Sequence, residues 1–265
     1  MAKSDIGFTS FDLPVKRVAA EAPPAAAEWA VRQDLAAAYR LCALLGWDDL
    51  IYTHISARVP GSDHHFLVNP LGLAFDEITA STLVKIDLDG NVVGDTEWAP
   101  NAAGFVIHGG IHEARHNAGC VVHLHTEAGM ALSCQEEGLL PLTQHAMRFY
   151  GRIGYHDYEG IALTLGERER LVADLDQGAA LILRNHGTLT VGPSVGHAFV
   201  EMFYLEKAAR CQLLAQSAGR PLRVPDHDLA QMTADQWTTD LLKPDSREWP
   251  SLLRRLDRVD ASYRN

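Results

Sequence analysis

A sheet covered by helices on two faces, an α/β or α+β domain, is the fold class this chain predicts, and three observations predict it. Helical apolar spacing marks both ends of the sequence, short strand-like runs fill the middle, and no internal repeat is visible. With 265 residues, 47% of them hydrophobic, the chain can bury a sizeable core as one large domain or one domain with appendages.

Taken in order, residues 1–27 mix Pro14, Pro23, Pro24 and an alanine run without a helical period, which predicts a flexible arm. Over 28–45, Trp29, Val31, Leu35, Ala38, Tyr39, Cys42 and Leu45 fall mostly three or four residues apart, and Gly46 supplies a stop: an amphipathic helix. Strand-like runs follow near 55–59, 66–69 and 84–87, separated by Pro60-Gly61, by Pro70 with Gly72, and by the hairpin-like Asp89-Gly90-Asn91. A helix over 102–116 places Phe105, His108, Gly109 and His112 on one side; an apolar strand at 119–124 and a short helix near 128–135 come next. Strands at 180–183 and 189–191 precede a long helix over 194–217, whose stripe of Val195, Phe199, Met202, Leu205, Ala209 and Leu213 should pack on the sheet. Beyond Gly219-Arg220-Pro221, one or two polar helices are anchored by Trp237, Leu241, Trp249, Leu252, Leu253 and Leu256. The expected organisation is an arm at 1–27, a main domain at 28–218 and a C-terminal helical extension at 219–265.

A net charge of −11 with scattered basic residues argues against a nucleic-acid surface, which needs clustered Lys and Arg. No apolar run approaches the roughly 20 residues of a membrane span, and no signal pattern opens the chain, so a soluble cytoplasmic protein is expected. Cys42, Cys120, Cys134 and Cys211 stand singly in apolar contexts, which predicts buried reduced thiols.

The chemistry gathers on histidine. In Val121-Val122-His123-Leu124-His125-Thr126, alternate side chains of a strand share a face, so His123 and His125 point the same way, about 6–7 Å apart along the chain. A third candidate is His186, in Leu183-Arg184-Asn185-His186-Gly187. Three imidazoles with an open position describe a catalytic metal site, although an isolated histidine is more often a hydrogen-bonded core residue. His108 is expected to hydrogen-bond near the site, His112 to be exposed or structural, and His54 either to line the pocket or to end a strand.

Together, Asn101-Ala102-Ala103-Gly104-Phe105-Val106-Ile107-His108, Val122-His123-Leu124-His125-Thr126, Gly138-Leu139-Leu140-Pro141, Tyr158-Glu159-Gly160 and Leu183-Arg184-Asn185-His186-Gly187 resemble the class II aldolase/adducin superfamily, over roughly residues 30 to 215. The resemblance implies a three-layer α/β/α fold with a central, largely antiparallel sheet, and commonly a homotetramer with sites at subunit interfaces. It implies that His123, His125 and His186 bind a divalent metal, foremost Zn2+, with Mn2+ or Fe2+ as alternatives. Two departures narrow the chemistry. The family's acid/base glutamate, four residues before the helix histidine, is matched here by Gly104, and the phosphate-binding stretches read Thr53-His54-Ile55-Ser56, Asn69-Pro70-Leu71-Gly72 and Asn101-Ala102-Ala103, with few hydroxyls. The pattern is nearer the adducin-head-like branch.

Neutral ligands leave the metal charge uncompensated, which suits an anionic oxygen donor from a small-molecule substrate, and the metal would act as a Lewis acid on a carbonyl. Tyr158 and Glu159, with His145 behind them, are the candidates to replace the missing acid/base; each reads equally well as a solvated or structural group. The expected function is a metal-dependent carbon–carbon lyase acting by aldol or decarboxylation chemistry on a small oxo or hydroxy acid. The alternatives are a non-haem iron oxygenase on the same ligands and an adducin-like binding module without catalysis.

Overall fold

Short strands, most of them buried at nearly every position, form one mixed sheet in the computed structural model, which describes residues 17–18, 25–100, 102–160, 166–239 and 244–265. In chain order the elements are β1 (Arg17–Val18), α1 (Ala26–Leu45), β2 (His54–Arg58), β3 (His65–Val68), β4 (Val84–Asp87), β5 (Val92–Val93), α2 (Ala102–Ala114) and β6 (Cys120–Leu124). There follow α3 (Glu127–Ser133), α4 (Gln144–Met147), β7 (Ile153–His156), α5 (Glu167–Leu175), β8 (Ala180–Leu183), β9 (Gly187–Gly192), α6 (Val195–Ser217), α7 (His227–Trp237) and α8 (Pro244–Asp257). A 3-10 turn at Ser262–Arg264 closes the chain.

The strands lie in the order β1-β5-β4-β3-β2-β6-β9-β8-β7. Only the β1–β5 and β7–β8 pairs are parallel among those described, so the sheet is largely antiparallel. Strand pleating sends neighbouring residues of β6 to opposite layers. Cys120, Val122 and Leu124 join Leu35, Tyr39, Phe199, Met202 and Trp249 in the core under α1, α6 and α8. Val121, between them, packs with Ile107, Ile111, Leu171 and Leu175 of α2 and α5. A sheet with helices on both faces is the three-layer α/β/α arrangement.

Most expected elements are present within a few residues of their expected bounds, including the hairpin at Asp89-Gly90-Asn91, where Ile86 pairs with Val92. The long α1 ends where Gly46 takes a left-handed conformation at φ 69° and donates back to Ala43 O. Most of the proposed arm at 1–27 lies outside the described residues; of the described pieces, Arg17–Val18 pairs with β5, and Ala26 and Ala27 already belong to α1. The polar stretch around residues 150–159 holds the edge strand β7, partly exposed over three of its four positions and therefore weak in apolar signal. The C-terminal residues fold back on the core: Trp249 is buried against Phe199, with ring centroids 5.6 Å apart, and donates to Asp34 at 3.1 Å. Cys42 and Cys120 are buried as expected, whereas Cys134 is exposed and Cys211 only partly covered. Among the described residues no helix is long and apolar enough to cross a membrane.

Candidate metal centre

The end of β6 and the turn from β8 into β9 bring His123, His125 and His186 together. Each pair of rings has centroids 4.8 Å apart, and one ligand atom from each residue lies within 4.8 Å of the others. Register explains the convergence. β6 pairs with β9 so that Leu124 faces Thr188, which places the turn bearing His186 beside the end of β6. That turn is tight: Asn185 is left-handed at φ 56°, a conformation asparagine tolerates better than most residues. At Gly187 a Cβ would stand 2.5 Å from Leu124 O and 3.1 Å from His125 Cδ2, so only glycine lets β9 pass this closely behind the histidines.

Hydrogen bonds turn the rings. His123 Nδ1 lies 3.1 Å from Thr188 O; a carbonyl can only accept, so Nδ1 carries the proton and Nε2 is left as a lone pair. His125 Nδ1 lies 3.0 Å from Asp49 Oδ2, which likewise leaves its Nε2 free. The two Nε2 atoms are 3.1 Å apart, close to the roughly 3.3 Å expected for two nitrogens on one tetrahedral ion at about 2.0–2.1 Å. Burial and the neighbouring His125 and His156 push His186 down to about 4, and burial holds His123 well below the ordinary imidazole range. His123 and His186 are therefore neutral and ready to donate electron pairs at neutral pH. The donor set, its spacing and its carboxylate and carbonyl supports all fit a divalent metal.

Tyr158 stands at the rim, half exposed, its ring centroid 6.2 Å from that of His186. It shares a narrow cleft with His186, His156, Glu167 and Arg184. Glu159 is drawn aside by Arg170, which donates to both carboxylate oxygens and holds the acid below its usual range. His145 packs against Tyr204 and Trp237, with centroids at 4.8 and 6.5 Å, next to the buried Arg148–Glu201 ion pair; no described contact joins it to the three histidines.

Two features were not foreseen from the sequence. Asp49 is one, since nothing in a lone aspartate 76 positions from its partner marks it as a support. The other is a buried file of polar groups behind the site: His54 to His108, then Ser56, then His112. His112 is fully buried and stacked on Phe66 with ring centroids 4.7 Å apart. The shared helix face of His108 and His112 was visible in the sequence; their meeting with His54 and Ser56 required the packing of α2 on β2.

Comparison with known proteins gives the family and the fold. The family described as class II aldolase and adducin N-terminal domain matches residues 33–213. The chain belongs to that family. An aldolase II superfamily protein from Pseudomonas syringae is 52% identical, covers 91% of this chain and 97% of its own, and superposes with a TM-score of 0.86. The L-fuculose 1-phosphate aldolase of Glaciozyma antarctica is 30% identical with a TM-score of 0.81, over 92% of this chain and 97% of that one. Alpha-adducin of Rattus norvegicus is 45% identical over 72% of this chain, a match that spans 26% of the adducin. The class II aldolase family member therefore shares its fold with an enzyme and part of its sequence with adducin.

Proposed function

We propose that this protein is a divalent-metal-dependent lyase that makes or breaks a carbon–carbon bond beside a carbonyl in a small oxo or hydroxy acid. The observation that carries the reading is the convergence of His123, His125 and His186, two of them with Nδ1 engaged and Nε2 turned to a common point. A divalent ion held there, foremost Zn2+, would supply Lewis acidity toward a carbonyl oxygen. Likeness to the Glaciozyma aldolase supports the reaction class. Gly104 in place of the family glutamate, and the few hydroxyls in the phosphate-binding stretches, turn the substrate away from sugar phosphates.

The chain's own residues then have separable tasks. His123 and His125 are oriented by Thr188 O and Asp49, so ligand geometry is set before a substrate arrives. Tyr158, at the rim beside His186, is the group proposed to pass a proton to or from the substrate. Glu159 is the second candidate, and it would have to leave Arg170 to act; His145 is the third. A cytoplasmic homotetramer with sites at its interfaces belongs to the same proposal. Exposed Leu50 and Tyr52, flanking Asp49's side of the site, support such an interface.

The likeness to alpha-adducin favours a second reading, a binding module that retains the histidines. Elemental analysis of untagged protein purified without oxygen, alongside His123→Ala, separates the readings. About one zinc or manganese per chain, lost in the variant, is expected and leads to a screen of oxo acids for cleavage. Iron would put an oxygenase first. Protein that neither holds nor takes up any metal would sink both enzymes and leave the binding module.

A further inference from the structure

The buried file behind the triad has a direction, and one main-chain atom sets it. His112 Nδ1 lies 3.0 Å from Ala118 O, so His112 donates from Nδ1. Its Nε2, 2.8 Å from Ser56 Oγ, must then accept, and the serine hydroxyl spends its single proton on it. Ser56 Oγ therefore accepts from His108 Nδ1 at 2.7 Å, which leaves His108 Nε2 as an acceptor. His54 Nδ1, 3.0 Å away, is the donor to it. Each assignment holds if the rings are neutral. All three are at least 97% buried, no described contact brings a carboxylate to any of them, and the nearest charge, Arg58, donates to His112 O. A buried imidazolium without a counter-charge would be costly.

The last ring of the file faces the metal centre. His54 sits opposite His123 in the β2–β6 register, with ring centroids 5.1 Å apart. The ring hydrogen bond described for His54 is the one at Nδ1 to His108, and His54 is outside the trio whose ligand atoms converge. We infer that His54 is a specificity-determining residue whose Nε2, held as an acceptor by the Ala118–His112–Ser56–His108 file, selects substrates presenting a hydroxyl beside the metal-binding oxygens. This deepens the lyase reading and rests on it for the substrate's seat. It names the class: 2-hydroxy acids and hydroxycarbonyl compounds rather than their ethers or deoxy analogues.

The test has two parts. Long-range proton–nitrogen NMR on metal-free protein labelled at histidine should show the Nδ1–H tautomer at His54, His108 and His112. In Ser56→Ala, His108 and His54 should relax to tautomer mixtures while His112, still tied to Ala118 O, stays as it was; a merely space-filling serine would not produce that split. Calorimetry on zinc-loaded protein should show glycolate binding about tenfold more tightly than methoxyacetate, the worth of roughly one hydrogen bond. That ratio should fall to about one in His54→Asn, which keeps a donor toward His108 and loses the Nε2 acceptor. An Nε2–H tautomer at His54 overturns the inference, as does an unchanged ratio in His54→Asn. Loss of zinc affinity in that variant would make His54 a ligand and also overturn it. Failure of the protein to load zinc or to bind either acid defeats the hydroxyl selection, whereas binding with the expected ratio but no lyase turnover defeats only the reaction.

Discussion

His125 shows how much a single support can matter. Its Nδ1 proton goes to Asp49, a half-exposed carboxylate in the loop where Leu50 and Thr53 both carry positive φ, at 54° and 64°. That loop conformation is what carries the carboxylate to the ring. Asp49→Asn should therefore weaken zinc binding by about 10- to 100-fold, the usual effect of losing an outer-shell partner, as measured by competition with a chromogenic chelator. Unchanged affinity would mean that His125 holds its orientation without help. The convergence of the three histidines was legible, His123 and His125 from alternation along the strand, which needs no knowledge of the rest of the fold, and His186 from the family resemblance. Asp49 was not legible: its role depends on a loop path that local residue patterns do not encode.

At the scale of elements, two close approaches govern the architecture. β9 passes the three histidines at Gly187, where an added methyl would meet Leu124 O at 2.5 Å, a main-chain atom that cannot swing away. Gly187→Ala should separate β9 from β6, lower the melting temperature and reduce bound zinc to well under half of the wild-type content; a variant with full zinc content would show that the strands can part without moving the histidines. The second approach is α8 on α6, where Gly196 gives room to the Trp249 ring. Trp249→Ala removes a side chain packed on Phe199 and tied to Asp34, and should cost about 3–5 kcal/mol in urea unfolding. A loss under about 1 kcal/mol would make the C-terminal helices an appendage rather than part of the core. The helix α6 was readable in sequence from Val195, Phe199, Met202, Leu205 and Ala209, which recur three or four residues apart and are all buried. β7 was not, since an edge strand with partly exposed positions lacks the apolar run that marks its central neighbours.

For the whole molecule, the clustering of buried neutral histidines makes stability depend on pH. Burial holds His54, His108 and His123 well below the usual imidazole range, and brings His112 down to about 3 and His186 to about 4. Below the ordinary value near 6.5 the unfolded chain takes up protons that the folded chain refuses, so stability falls as pH drops from about 6.5 toward 4 and is level above that window. Each such proton contributes a slope of about 1.4 kcal/mol per pH unit. Urea midpoints of metal-free protein between pH 7.5 and 4.5 should fall more steeply than one proton allows; a level midpoint would show that the rings are charged in the fold. The layered fold was foreseeable because amphipathic ends and a strand-rich centre leave few other ways to bury apolar surface. The polar interior was not, because it forms only when α2 lies across β2. Its two orienting ends, Thr188 O and Ala118 O, are main-chain atoms. Thr188 O comes with the β6–β9 register and Ala118 O with the turn between α2 and β6, not with any side chain, so descendants of this fold can exchange the residues at both positions and keep the same ring polarity until a backbone shift erases it.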